Sequence, residues 1–111
     1  MKTEIDLLIK TRELLATGWT RGVWARDKND NEVPISGSKA VCFCLEGAIV
    51  RARRDFGPLP EYGDLNGMAL NIALKQAGII SIIDWNDDPR RTQSEVLALI
   101  DRAIEIAEAE Q

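Results

Sequence analysis

The chain has 111 residues, which is enough for one compact domain with a single hydrophobic core, so we predict one domain over residues 1–111. Its composition is 45% hydrophobic and 29% charged, and no apolar run approaches the roughly 20 residues that a membrane-spanning helix needs. The net charge of −4 is too mild for a DNA mimic, and it argues against non-specific binding of nucleic acid, which needs a dominant basic face. The N-terminus lacks the apolar core of a signal peptide, which predicts a cytoplasmic protein.

The first predicted elements are a helix over residues 3–17 and a β-hairpin. Thr3 and Asp6 have the spacing of a capping box, and apolar residues follow at helical intervals. Two short strands are then predicted, over residues 19–26 and 32–36, because the polar sequence "DKNDN" between them is typical of a turn. A proline in the second strand indicates an edge position.

Apolar residues recur at helical spacing in three further segments, which are residues 39–56, about 65–77 and 93–108. Ser36 or Ser38 is the predicted N-cap of the first of these helices, and Asp64 that of the second. A glycine within a helix costs about 1 kcal/mol relative to alanine, so Gly47 predicts the close approach of another element. The run "IISII" at 79–83 predicts a buried strand or an extended link. The predicted fold class is α+β, with about four helices packed with a small β-hairpin or short sheet.

The residue types that commonly carry catalysis are scarce. The chain has no His, and Cys42 and Cys44 are too close for an unstrained disulfide, so we predict buried thiols in a reducing compartment. Cys44 lies on the predicted core face, where a thiol is inert. A carboxylate pair from Asp84, Asp87 and Asp88 leaves a small hydrolase as an alternative, without a supporting motif. The sequence therefore favours a protein without catalysis and predicts no cofactor.

The segment "IIDWNDDPRRTQSEV" turns from an apolar run into the last helix. Thr92 and Glu95 have capping-box spacing, which explains its C-terminal part without a ligand. The segment also has the ligand spacing of an EF-hand calcium loop, at Asp84, Asn86, Asp88, Thr92 and Glu95. Pro89, however, stands where that loop needs a glycine, and an apolar β-branched run stands in place of the entering helix, so we predict no metal. The aspartates are expected to bind backbone amides in the turn or to meet arginines of the second helix. The alternative is that Trp85, Asn86 and nearby arginines face a cleft and hold a ligand.

Four fragments together resemble an uncharacterised family of small bacterial and phage proteins. They are "GWTRGVWARD", "AVCFCLEGAI", "WNDDPRRT" and "EVLALIDRAIEIA". The shared pattern falls on Gly18, Trp19, Ala25, Arg26, Asp27, Cys44, Gly47, Ala48, Trp85, Asn86 and Asp87. The resemblance extends over nearly the whole chain and implies no particular reaction. It implies a source in a bacterium or its phage, which raises the expectation of a regulatory or counter-defence role.

These observations predict a non-catalytic binding or interaction protein that acts on a host protein or on another copy of itself. A phage or mobile-element regulator or a counter-defence inhibitor would fit this description. The alternative is a protein that binds or sequesters a planar anionic molecule such as a nucleotide, through tryptophan faces, an amide and guanidinium groups. The predicted binding residues are Trp19, Arg21, Trp24, Arg26, Arg51, Arg54, Trp85, Asn86 and Asp87. Core packing is the competing interpretation of the tryptophans.

Overall fold

The structure is a computed structural model that describes residues 3–56 and 67–109. Within these ranges the chain forms five helices and a two-stranded antiparallel sheet, which confirms the predicted α+β class. The elements in chain order are α1 (Glu4–Thr17), β1 (Ala25–Arg26), β2 (Cys42–Phe43), α2 (Leu45–Phe56), α3 (Gly67–Gln76), α4 (Ile82–Asp87) and α5 (Gln93–Ala109). None of the helices in the described ranges combines the length and the apolar character needed to cross a membrane.

Both predicted capping boxes are confirmed, at the starts of the first and last helices. The hydroxyl of Thr3 accepts from the Asp6 backbone N–H at 3.4 Å, and the Asp6 carboxylate accepts from the Thr3 N–H at 3.0 Å. At α5, Thr92 accepts from the Glu95 N–H at 3.3 Å and donates its own N–H to Glu95 at 2.9 Å. Each box therefore satisfies two backbone amides that a helix start leaves unpaired.

The core lies between the helices, because each of them turns an apolar stripe inward. The last helix, α5, packs against both α1 and α3, and α1 also packs against α2. Large side chains that are at most 1% exposed come from all four of these helices: Leu8, Leu15, Ile49, Leu70 and Ile100. The long helices therefore provide the frame on which the short sheet and α4 are held.

The sheet differs from the predicted hairpin in both strands. The first strand, predicted over residues 19–26, is confined to Ala25–Arg26. β1 pairs with β2, with Ala25 opposite Phe43, and the predicted strand over residues 32–36 is wrong. That segment meets β1 through an isolated bridge to Arg26. Phe43 is 2% exposed, and its N–H donates to the carbonyl oxygen of Gly18 at 3.0 Å. The extended backbone at β2 buries the ring of Phe43 and forms hydrogen bonds on two sides. This tertiary packing outweighs the helical spacing of the apolar residues in the segment.

The second helix accordingly begins later than predicted, and neither Ser36 nor Ser38 is its N-cap. Cys44 directly precedes α2, and its sulfur accepts from the Gly47 backbone N–H at 3.2 Å. The predicted close approach at Gly47 is confirmed, because a Cβ there would overlap with the carbonyl oxygen of Trp24. The segment before Cys44 belongs to the sheet, so its residues are not available to extend the helix.

The run "IISII" is neither a strand nor an extended link over its length, which corrects the prediction for this segment. Ile82 begins α4, and the hydroxyl of Ser81 accepts from the Asp84 N–H at 3.2 Å as an N-cap. Ile80 is fully exposed and Ile83 is 47% exposed. The start that we predict for α3 near residue 65, with its cap, lies outside the described residues.

Candidate functional site

The segment around α4 is organised by the side chain of Asn86, which is 1% exposed. Its Oδ1 accepts from Trp19 Nε1 at 2.8 Å and from the Leu45 backbone N–H at 3.0 Å. Its Nδ2 donates to the Thr20 carbonyl oxygen at 3.2 Å and to the Asp87 carboxylate at 3.0 Å. The amide thus makes four hydrogen bonds, the number its two lone pairs and two protons allow. They connect α4 to the segment after α1 and to the start of α2.

A second set of contacts fixes the loop that follows α4. The Asp87 carboxylate accepts from the Gly22 backbone N–H at 2.9 Å. Arg21 donates from Nη1 to the Pro89 carbonyl oxygen at 3.0 Å and from Nη2 to the Arg91 carbonyl oxygen at 2.9 Å. The two Arg21 bonds join residues about 70 positions apart in the sequence. The segment before β1 therefore holds the loop in place, together with the turn within the loop. Asp87 and Arg21 therefore serve the fold at this point.

Arginines lie against two of the three tryptophans. The Arg91 guanidinium carbon is 4.0 Å from the centroid of the Trp85 ring. Arg91 Nε also donates to the Trp85 carbonyl oxygen, and Arg91 Nη1 donates to the Glu95 carboxylate. Arg21 lies 5.0 Å from the centroid of Trp19. Both distances are in the range of cation–π contacts. One face of each ring, which a planar ligand would need for stacking, is thus covered by the protein's own cation.

The other arginines predicted for the site do not join it. Arg26 donates to the Asp30 carbonyl oxygen at 3.1 Å within the turn after β1. Arg51 donates to the Ile35 carbonyl oxygen at 2.6 Å, and Arg54 is exposed near the end of α2. In the described ranges, neither Arg51 nor Arg54 bonds or forms an ion pair with the aspartates of "DWNDD". The expected pairing of that loop with these two arginines of the second helix is therefore absent from the described contacts.

The carboxylates of the loop are engaged in backbone contacts or face solvent. The Asp88 carboxylate accepts from the Arg90 backbone N–H at 2.9 Å, and this bond is the main cause of the lowered pKa of Asp88. A general acid at neutral pH needs a raised pKa, so Asp88 is unsuited to that role. Among residues 3–56 and 67–109, no three His, Cys, Asp or Glu side chains form a cluster that could hold a metal ion.

The two cysteines are free thiols. Cys44 is 5% exposed, as predicted, whereas Cys42 is half-buried. Burial raises the pKa of the Cys44 thiol, and the N–H of Gly47 donating to its sulfur offsets this in part. A buried thiol with a raised pKa is neutral at physiological pH and a poor nucleophile.

A surface that sequence reasoning missed lies beside the Asn86 contacts. Three adjoining clefts of about 630, 190 and 430 Å³ run across it. Trp24 lines the first and second, while Ile83 and Glu46 line the second and third. This surface, the Trp24 face, comprises Val23, Trp24, Glu32, Glu46, Ile80 and Ile83. Of the nine predicted binding residues, Trp24, Asn86 and Asp87 contribute to its clefts.

The Trp24 face gathers three of the largest exposed apolar side chains in the described part of the chain. Trp24 is 46% exposed, Ile83 is 47% exposed and Ile80 is fully exposed. The sequence contains a signal for this exposure, because Ser81 and Asp84 have the spacing of a capping box. A helix with Ser81 as its N-cap leaves Ile80 ahead of the helix, rather than in a buried strand.

Comparison with known proteins supplies a family but no activity. The model of a family described as "Family of unknown function (DUF6197)" matches residues 1–106. No curated protein and no solved structure matches the chain. The predicted grouping with an uncharacterised family is confirmed. The structure also shows why Gly18 and Gly47 of this chain leave no room for a side chain. A Cβ at Gly18 would lie 2.5 Å from the Val41 carbonyl oxygen, and one at Gly47 would overlap with the backbone of Trp24. The chain belongs to the DUF6197 family of unknown function.

Proposed function

We propose that this protein is a non-catalytic interaction module and that a partner protein binds to the Trp24 face. The observation that carries this proposal is the half-exposed Trp24, with exposed Ile83 and Ile80 along the adjoining clefts. Contiguous exposed apolar surface is typical of interaction sites, and tryptophan is enriched among the residues that dominate interface energies. The arginine and aspartate contacts around Asn86 support this use, because they hold the face on a fixed framework.

We further propose that the partner is a host protein and that the module acts as a phage or mobile-element regulator or counter-defence inhibitor. The resemblance to small bacterial and phage proteins motivates this part of the proposal. A cytoplasmic location is part of the same proposal, because a half-buried and a buried free thiol fit a reducing compartment. A small regulatory protein with no supporting catalytic motif would act by covering a surface of its target.

Binding of a nucleotide-like ligand has weaker support. The clefts of about 630 and 430 Å³ are large enough for a small molecule, but the cleft next to Asn86, at about 190 Å³, is below the roughly 300–1,000 Å³ of most such sites. Glu46 and Asp87 line it, and their charge disfavours an anion. A thermal-shift screen with nucleotides and divalent cations tests this alternative, because a ligand at 100 times its Kd adds about 2.7 kcal/mol of stability. A reproducible shift with a nucleotide would favour the ligand alternative over the interaction module.

The proposal is tested by affinity capture from host extract with wild-type protein, Trp24→Ser, Ile83→Asp and Ile9→Asp. Ile9 is a matched control, because it is 42% exposed and lines none of the three clefts. We expect a specific partner to be lost with Trp24→Ser and Ile83→Asp and retained with Ile9→Asp. Circular dichroism of each variant confirms that it is folded. Capture that is unchanged in both face variants would show that the partner binds elsewhere.

A further inference from the structure

We infer that the segment bound by the Trp24 face is basic and amphipathic, with apolar side chains placed between lysines or arginines. This inference rests on the proposed function and adds the chemistry of the partner. It follows from the charges around the face and from what the neighbouring arginines already bind.

The charge of the Trp24 face is predominantly negative. Glu32, Glu46 and Asp87 line its clefts, against Lys75 as the one cation among the described lining residues. Within residues 3–56 and 67–109, the carboxylates of Glu32 and Glu46 accept no hydrogen bond and form no ion pair. Their charges are therefore available to a partner.

The arginines nearest in sequence to Trp24 do not neutralise these carboxylates. Arg21 donates to the Pro89 and Arg91 carbonyl oxygens. Arg26 donates to the Thr20 hydroxyl at 2.9 Å and lies 3.7 Å from the carboxylate of Asp30, in the turn after β1. Both guanidinium groups are thus bound to other acceptors, and in the described ranges neither bonds Glu32, Glu46 or Asp87, so the acidic character of the face follows from the fold.

An apolar surface with acidic edges is complementary to a particular kind of segment. The aliphatic stems of lysine and arginine lie along apolar surface, while their charged ends reach nearby carboxylates. Apolar side chains between them would enter the clefts on either side of Trp24 and Ile83. Complementary charges of this kind raise the rate of association and select against acidic competitors.

The same charges argue against a second copy of this chain as the occupant. In a two-fold dimer each copy presents the same patch to the other, so the acidic patch that contains Glu32 and Glu46 would face an identical acidic patch. Like charges placed together in an interface are strongly unfavourable. A basic segment of another protein avoids this repulsion.

The test is a selection of random-sequence displayed peptides on the immobilised full chain, followed by titration of the synthesised peptides. We expect selected peptides to be rich in Lys or Arg and in large apolar residues. Their affinity should fall at least about tenfold with Trp24→Ser and about fivefold with the double variant Glu32→Gln, Glu46→Gln. It should also fall between about 0.05 and about 0.5 M NaCl, because screening shortens the reach of exposed charges.

Two control variants separate the face from general effects. Ile9→Asp tests an exposed isoleucine elsewhere, and the double variant Glu13→Gln, Glu108→Gln removes two exposed carboxylates from α1 and α5. Both should leave peptide affinity unchanged. Ile83→Asp provides a second face variant if Trp24→Ser fails to fold.

The outcomes distinguish this inference from the proposed function. Trp24-dependent peptides that are neutral or acidic, and that ignore the double carboxylate variant, would overturn the basic segment and leave the interaction module standing. If no selected peptide depends on Trp24 or Ile83, the proposed function itself fails. A dimer in light scattering that dissociates with Trp24→Ser would show a second copy on the face and overturn the inference.

Discussion

At the scale of single residues, Asn86 decides how α4 is attached to the rest of the chain. Truncating its amide leaves the Trp19 indole N–H, the Leu45 N–H and the Thr20 carbonyl oxygen without their partner. Each buried group left unpaired costs about 1–3 kcal/mol, so we expect Asn86→Ala to lower the free energy of unfolding by about 3 kcal/mol in urea denaturation. A loss below about 1 kcal/mol would contradict this structural role.

The matched control for this variant is Asn29→Ala in the exposed turn after β1. Asn29 uses its backbone N–H, which alanine retains, to bond the Asp27 carboxylate. We expect a change within about 0.5 kcal/mol, as is usual at exposed sites. A consequence for ligand studies is that Asn86→Ala alters the fold, so variants of exposed residues are better probes of the candidate site.

At the scale of elements, the cap of α5 is sensitive to pH. The pKa of Glu95 is lowered, mainly because its carboxylate accepts from the Thr92 backbone N–H. A carboxylate whose pKa is lower in the folded state adds stability above its unfolded pKa of about 4.3, and this stability is lost as pH falls through the folded value. We therefore expect wild type to be more stable than Glu95→Gln at about pH 7 and this difference to disappear by about pH 2.

Urea denaturation at several pH values measures this difference, with Glu13→Gln as the control. Glu13 is an exposed carboxylate on α1 whose side chain makes no hydrogen bond or ion pair in the described ranges. A stability difference for Glu95→Gln that stays constant across this pH range would show that the charged cap contributes nothing. Asp88 has a pKa lowered in the same direction by the Arg90 N–H, so its contribution is also lost on acidification.

At the scale of the whole molecule, stability depends on the packing of α5 against α1 and α3. Ile100 lies on α5 and is completely buried. Replacing a buried isoleucine with alanine removes apolar contacts and leaves a cavity, so we expect Ile100→Ala to cost about 3–4 kcal/mol in urea denaturation. Ile9→Ala, at an exposed position of α1, should cost less than about 1 kcal/mol. Similar losses for both variants would show that α5 is not central to the core.

The local signals in the sequence predicted α1 and α5 well, placed the start of α2 too early, missed α4 and predicted the sheet poorly. The capping boxes of α1 and α5 act within four residues, so residue types alone identify them. The partner of β1 depends on a contact across about 18 residues, between Ala25 and Phe43. The apolar residues around Cys42–Phe43 have helical spacing, but burial of the Phe43 ring favours pairing in the sheet instead. A short apolar run cannot reveal that outcome by itself.

The candidate site shows the same division between features that local sequence signals predict and features that depend on long-range contacts. The sequence by itself determined the α+β class, both capping boxes and the close approach at Gly47, because these depend on periodicity, local hydrogen bonds and the missing side chain of glycine. Only the tertiary structure decided which charged and aromatic residues are available to bind a partner or a ligand. Contacts spanning 65 residues or more bind Arg21, Asn86 and Asp87 into the fold. Trp24 stays half-exposed, and the nearby carboxylates of Glu32 and Glu46 have no hydrogen-bond or ion-pair partner within residues 3–56 and 67–109. Residue type indicates what a side chain is able to bind, whereas its neighbours in space determine what it has already bound.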